Sequence, residues 1–188
     1  PDNEAAWLEG FAQGFFALAD RYRVQLVGGD TTRCPLVVTV QVHCLVETGT
    51  ALRSRGAQAG DRLFVTGTLG DAGLALQLRE AAGSGLRARL DFPEPRVDAG
   101  RQLRGLASAA IDISDGLLAD LGHLLEADAL GATIDVDALP RSAAFLAGAG
   151  EPSGFLELPL SAGDDYELCF TVPAQHCAAV ERRLAALS

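Results

Sequence analysis

Ala109-Ala110-Ile111-Asp112-Ile113-Ser114-Asp115-Gly116-Leu117-Leu118-Ala119-Asp120-Leu121-Gly122-His123-Leu124-Leu125 changes its hydrophobic period part-way along. Residues 109–113 are a short apolar run of strand type. From Leu117, leucines recur at 118, 121, 124 and 125, the three- and four-residue steps of a helix buried along one face. Ser114 and Asp115 sit at the junction, where a helix start is expected to be capped. A strand that ends on an acid–hydroxyl–acid triplet and turns at once into a helix is one unit of a mixed α/β chain.

The same alternation extends on both sides. Leu8, Phe11, Phe15, Leu18 and Tyr22 share a face and predict a helix over 4–22, with Asp2 or Asn3 as its cap. Val24–Val27 reads as a strand entering Gly28-Gly29, and Pro35–Val46, rich in Val and Thr, as a second. Residues 51–61 form a Gly- and Arg-containing connector and the expected boundary between two domains, 1–50 and 51–188. Beyond it come a strand at 63–65, a helix at about 72–82 stopped by Gly83-Ser84-Gly85, and a loop marked by Pro93 and Pro95. A helix at about 97–107, strands at 131–136 and 166–172, a surface connection at 147–153 and a helix at 174–187 complete the reading. The predicted class is α/β (α+β).

Composition narrows the function. Of 188 residues, 48% are hydrophobic and 21% charged, so a buried core is expected. The net charge of −10 speaks against nucleic acid, which requires a basic face. No apolar run is long enough to cross a membrane. The cysteines, Cys34, Cys44, Cys169 and Cys177, form no Cys-x-x-Cys pair and read as reduced thiols of a cytoplasmic protein. The chain contains no Met and begins Pro1-Asp2-Asn3, so it is expected to be part of something longer.

Asp112 and Ser114, two apart on a strand, face the same way, and Asp115 follows at the turn. Two carboxylates about 4 Å apart at a half-buried surface repel by roughly 4 kcal/mol. Such a pair calls for a cation, and Mg²⁺, which takes hard oxygens and bridges to phosphates, suits it. The competing reading leaves Ser114 or Asp115 as a helix cap and Asp112 solvated. Asp30 follows Gly28-Gly29, where backbone can approach a ligand closely, or is an ordinary turn residue. Gly67-Thr68-Leu69-Gly70-Asp71 is neither a Walker A loop nor a dinucleotide fingerprint and reads as a structural turn. Asp164, Asp165 and Glu167 enter a strand, with Asp165 and Glu167 on one face, or form a solvated rim. Together the acids suit a site that binds metal and phosphate better than a general acid–base pair.

In order, GGDTTR (28–33), GAQAGD (56–61), VTGTLG (65–70), IDISDGLLADLGHL (111–124), GATIDVDALP (131–140) and AGDDYELCFTV (162–172) resemble the thiamine-monophosphate kinase family. Its superfamily includes aminoimidazole ribonucleotide synthetase and selenophosphate synthetase. The resemblance implies the two-domain fold of that superfamily, with residues 1–50 the end of an N-terminal ATP-binding domain and 51–188 most of a C-terminal one. It implies a cytoplasmic homodimer that uses Mg²⁺ and ATP to phosphorylate thiamine monophosphate by direct in-line transfer, with no covalently acting catalytic residue. Carried onto this chain, Asp30, Asp112 and Asp115 would bind Mg²⁺. Gly29, Asp30, Arg55 and Ser114 would meet ATP, and Asp164 the thiamine phosphate.

The chain departs from the family pattern in three ways. Ser54-Arg55-Gly56-Ala57 replaces Arg-Ser-Gly-Ala, which leaves Arg53 and Arg55 both open as the ATP arginine. Ala162 replaces a glycine. The family's Gly-Asp-Asp segment with further metal-binding aspartates, and its C-terminal stacking aromatic, are not in this sequence, so the 188 residues alone are expected to be inactive. A sister ATP-dependent synthetase and a non-catalytic acidic metal-binding module are the alternative readings.

Overall fold

The computed structural model describes residues 5–32, 35–148 and 152–187. Asp2 and Asn3, the expected cap, and Arg33 and Cys34 lie outside them, as do residues 149–151 of the expected surface connection. The chain divides into two compact units, Pro1–Leu45 and Val46–Ser188.

The first unit holds helix α1 (Ala5–Arg21), as the periodicity predicts. Its aromatics meet at helical spacing: Trp7 stacks on Phe11 at 5.6 Å and Phe11 on Phe15 at 6.2 Å. The strands expected at 24–27 and 35–46 do not form. Val37, Val38, Val40 and Val42 are exposed, and no ladder partner lies among the described residues. β-branched alternation supplies a face to bury, but a strand also needs a second backbone to pair with.

The second unit runs β1 (Arg62–Val65), α2 (Asp71–Leu78), α3 (Ser84–Asp91), α4 (Val97–Leu103), β2 (Ala109–Ile113), α5 (Leu117–Glu126), α6 (Ala143–Gly148), α7 (Pro152–Ser161), β3 (Glu167–Val172) and α8 (Cys177–Ala185). Helices α3, α6 and α7 are additions to the sequence reading. Ser84 opens a helix where its flanking glycines suggested only an end. Residues 131–135 are irregular and run into a single 3₁₀ turn, Val136–Ala138, not a strand.

The sheet is antiparallel in the order β1-β3-β2, so the last strand lies between the first two. Leu63 pairs with Thr171 and Ile111 with Cys169. β3 is mostly buried because both of its faces are covered, and its two polar residues, Glu167 and Thr171, are buried with it. Cys169 packs with Leu69, Ile113, Leu117 and Leu121, the face under α5. Phe170 and Val172 pack with Leu103 of α4 and Val180 of α8. A third cluster, Leu74, Ala75, Leu86, Phe145 and Leu158, joins α2, α3, α6 and α7. Burial pushes the Cys169 thiol up to about 12, with Asp120 adding to the rise, so it acts as a small apolar core residue.

Candidate functional site

β2 delivers Asp112 to the surface on one side of the fully buried Ile113, and the half-buried Ser114 follows on the other. The expected cap is not made. Gly116 occupies the N-cap position of α5, and no side chain caps the helix. Instead, buried Asp120, in the first turn of α5, reaches back. Its Oδ2 accepts the backbone N–H groups of Ser114 and Asp115, each at 3.0 Å. Asp120 thereby fixes the backbone of the turn that precedes the helix without capping it, and the Asp115 side chain stays exposed.

The chain entering β3 is laid against this turn. The Asp164 N–H donates to the Ser114 carbonyl and the Tyr166 N–H to the Ile113 carbonyl, both at 2.9 Å. Gly163 is required at this crossing, because a Cβ there would collide with the Ser114 carbonyl. Asp164 and Tyr166 both take left-handed backbone angles, φ 65° and 49°. The Tyr166 hydroxyl donates to Asp164 Oδ1 at 3.3 Å. The phenol is held above its ordinary range first by the Asp164 charge, then by burial and that hydrogen bond, and further by Asp112 and Asp115. The backbone contact of Asp164 with Ser114 places that residue beside the turn that carries Asp112 and Asp115, and these acids form the rim.

Asp165 and Glu167 face the other way. They share a face, as the alternation predicts, but it is the interior: both are buried, which removes the solvated-rim reading for these two. The sequence shows little basic charge nearby, yet two arginines reach in from distant positions. Arg96 forks onto Glu167 (Nε–Oε2 2.6 Å, Nη2–Oε1 2.5 Å), and Arg89 Nη2 donates to Oε1 at 2.6 Å. Thr66 Oγ1 donates to Oε2 at 2.5 Å. Gly67 must lack a side chain, since its Cβ would meet the Glu167 carboxylate. Asp165 accepts the Gly70 N–H on both oxygens, at 3.1 and 2.9 Å. Burial pushes its carboxyl up to about 7, against the lowering by that N–H and by Arg89, while Asp71 adds to the rise. The glycine turn at 67–71 thus holds one of the protein's own carboxylates, in keeping with a structural turn.

Arg55 is elsewhere. The Arg53 carbonyl accepts the Ala110 N–H at 2.8 Å, and Gly56 lies against Ser108, so 53–56 runs beside the beginning of β2. Ser108 and Asp112 are separated by about 13 Å at strand rise. Arg53, Arg55 and Arg104, together with Thr50 and Ser108, line a cavity of about 380 Å³. No ion pair joins these arginines to a carboxylate among the described residues, and Arg104 donates to Thr50 Oγ1 at 2.8 Å. Gly29 and Asp30 belong to the first unit, in an irregular, exposed segment.

The donor set at the rim, exposed carboxylates beside a hydroxyl, is hard oxygen and fits Mg²⁺, which takes one or two protein carboxylates and completes its shell with water and phosphate. Among the described residues, no group of three or more His, Cys, Asp or Glu closes around a common point.

Residues 58–186 match the family described as AIR synthase related protein, C-terminal domain. The chain belongs to this family. The AIR synthase related chain is 48% identical over 181 residues to the thiamine-monophosphate kinase of Salmonella typhimurium, covering 92% of this chain and 55% of that protein. It is 38% identical to the Haemophilus influenzae thiamine-monophosphate kinase, covering all of this chain and 59% of the relative. It thus spans a little over half the length of the curated relatives it matches. The crystal structure of the Stenotrophomonas maltophilia thiamine-monophosphate kinase superposes with a TM-score of 0.90 at 41% identity, covering 100% of this chain and 63% of that one. The structure of AaThiL complexed with AMPPCP and TMP superposes at 0.76 with 30% identity, covering 94% and 59%. These superpositions bear out the fold expected from the motifs. Arg89, Arg96, Asp120 and Arg104 were not legible as site residues. Arg89, Arg96 and Arg104 meet partners more than fifty residues away in the chain, and Asp120 reaches back five and six residues from within a run of leucines.

Proposed function

We propose that the whole protein transfers the γ-phosphoryl group of ATP to the phosphate of thiamine monophosphate, giving thiamine diphosphate. Asp164 hydrogen-bonded by its backbone to Ser114 carries the reading, because it puts the residue assigned to the acceptor beside those assigned to metal and nucleotide. Names of relatives at up to 48% identity, and the AMPPCP and TMP of the AaThiL complex, support the two substrates.

Asp112 and Asp115, with Asp30 from the first unit, are the residues assigned to Mg²⁺. Bound there, the metal would neutralise phosphate charge and favour direct in-line transfer. Ser114 offers a hydroxyl to the nucleotide, and Gly29 a backbone free of side chain. Arg55, or its neighbour Arg53, offers a guanidinium from the cavity at the far end of β2, and an extended nucleoside triphosphate is long enough to reach both ends. The acceptor phosphate is already ionised, so no base is needed, and no histidine is assigned one. Residues 1–50 are assigned to an N-terminal ATP-binding domain and 51–188 to most of the C-terminal one, in a cytoplasmic homodimer. Among the described residues, no helix is long and apolar enough to cross a membrane.

Thiamine diphosphate should form from ATP and thiamine monophosphate in the whole protein. Asp115→Asn should lower kcat at least about a hundredfold while the protein stays folded. Retained turnover would remove Asp115 from the site. Turnover of formylglycinamidine ribonucleotide in place of thiamine monophosphate would favour a sister synthetase.

A further inference from the structure

Asp164 and Tyr166 hold left-handed backbone angles that residues with a Cβ adopt only when the surroundings over-determine them. The surroundings consist of two sets of anchors. On the rim side, the Ser114 and Ile113 carbonyls take the Asp164 and Tyr166 N–H groups. On the inner side, Asp165 hangs from the Gly70 N–H and Glu167 is gripped by Arg96, Arg89 and Thr66. Arg89 touches both inner anchors, since its Nη2 also approaches the Asp165 carbonyl at 3.4 Å. Its Nε lies 3.9 Å from Asp71 Oδ2 and is buried with no hydrogen bond, so the guanidinium is aimed at this strand entry despite an imperfect fit on its other side.

We propose that Arg89 and Arg96 are positioning residues for Asp164: by clamping Glu167 and Asp165 from inside, they set where the Asp164 carboxylate stands beside Ser114. The proposal rests on the reading that Asp164 meets the acceptor. Charge balance alone does not require arginine, because a lysine at 96 would also neutralise Glu167. A lysine cannot fork onto both carboxylate oxygens, so it keeps the charge and loses the geometry.

Arg96→Lys in the whole protein is the test. The protein should stay folded by circular dichroism. The amide ¹H–¹⁵N signals of Ser114, Asp164 and Tyr166 should shift without any ligand. The KM for thiamine monophosphate should rise about tenfold or more, with the KM for ATP little changed. Arg89→Lys is the second variant and should act in the same direction. A folded Arg96→Lys protein with unmoved rim signals and an unchanged acceptor KM would overturn the inference. So would loss of the fold in both variants, which would make the network a stability device only. If the wild-type protein fails to bind thiamine monophosphate, the functional reading falls alone, because the ligand-free amide shifts still decide the positioning.

Discussion

Asp164 and Asp165 are adjacent in the chain and have opposite surroundings. Asp165 is buried, accepts the Gly70 N–H and lies in the field of Arg89, within a cluster where Glu167 is held by two guanidinium groups. Asp164 is half-buried beside Asp112 and Asp115, and the hydroxyl it accepts from, Tyr166, is itself raised by all three charges. Acids with internal counter-charges hold the chain in place. Acids at the surface with no such counter-charge are the ones assigned to ligands in the proposed function. The contrast separates structural from functional carboxylates more sharply than proximity in sequence does.

The largest effect should come from breaking the inner set. Glu167→Ala leaves Arg89 and Arg96 facing an empty, buried position and should cost about 3–5 kcal/mol of stability by urea unfolding. Asp112→Ala on the rim should change stability by no more than about 0.5 kcal/mol. If the two substitutions cost the same, the division between structural and functional acids fails.

A pH series sharpens the same division. The folded state holds the Asp165 proton up to about 7, whereas the unfolded chain loses it near the ordinary 3.8. Between those values the native state binds more protons, so this group's contribution to stability falls as pH rises and levels off above about 7. Asp165→Asn should remove that slope, so the stability difference between variant and wild type should grow in the variant's favour from pH 4 to pH 7. A difference that stays constant across the range would show that Asp165 is not held protonated.

The smallest effect is spectroscopic. In a Tyr22→Phe background, alkaline absorbance titration should find the Tyr166 phenol above its ordinary range. Asp164→Asn should lower it more than Asp112→Asn or Asp115→Asn, because Asp164 both repels the phenolate and accepts from the phenol. Equal effects from all three would mean that the rim is less intimate than the hydrogen bond indicates.

Elements with their own local signal were readable from the chain. The period change at 109–125 gave β2 and α5, and the apolar residues around Phe170 gave β3, because a strand covered on both faces is largely apolar. The strand expected at 131–136 failed for lack of a partner backbone, which no local pattern reports. Among candidate site residues, motif order picks out Asp112, Ser114, Asp115 and Asp164, and the structure lays the Asp164 backbone against Ser114. Asp120 was hidden inside the helix it starts, as one more polar residue between leucines. Arg89 and Arg96 were hidden because each meets Glu167 across more than seventy residues of chain. Arg55 was named, but its placement at the opposite end of β2 from Ser114 depends on which strand the connector runs beside.

The strand order β1-β3-β2 has a consequence for synthesis. β1 and β2 do not touch, and each waits for β3, whose partners for β1 appear over a hundred residues later in the chain. On the ribosome, neither β1 nor β2 can pair until β3, which begins at residue 167, emerges from the exit tunnel. Such long-range closure is slow compared with helix formation. A nascent chain stalled before residue 167 would carry Arg89 and Arg96 without the carboxylate that they grip.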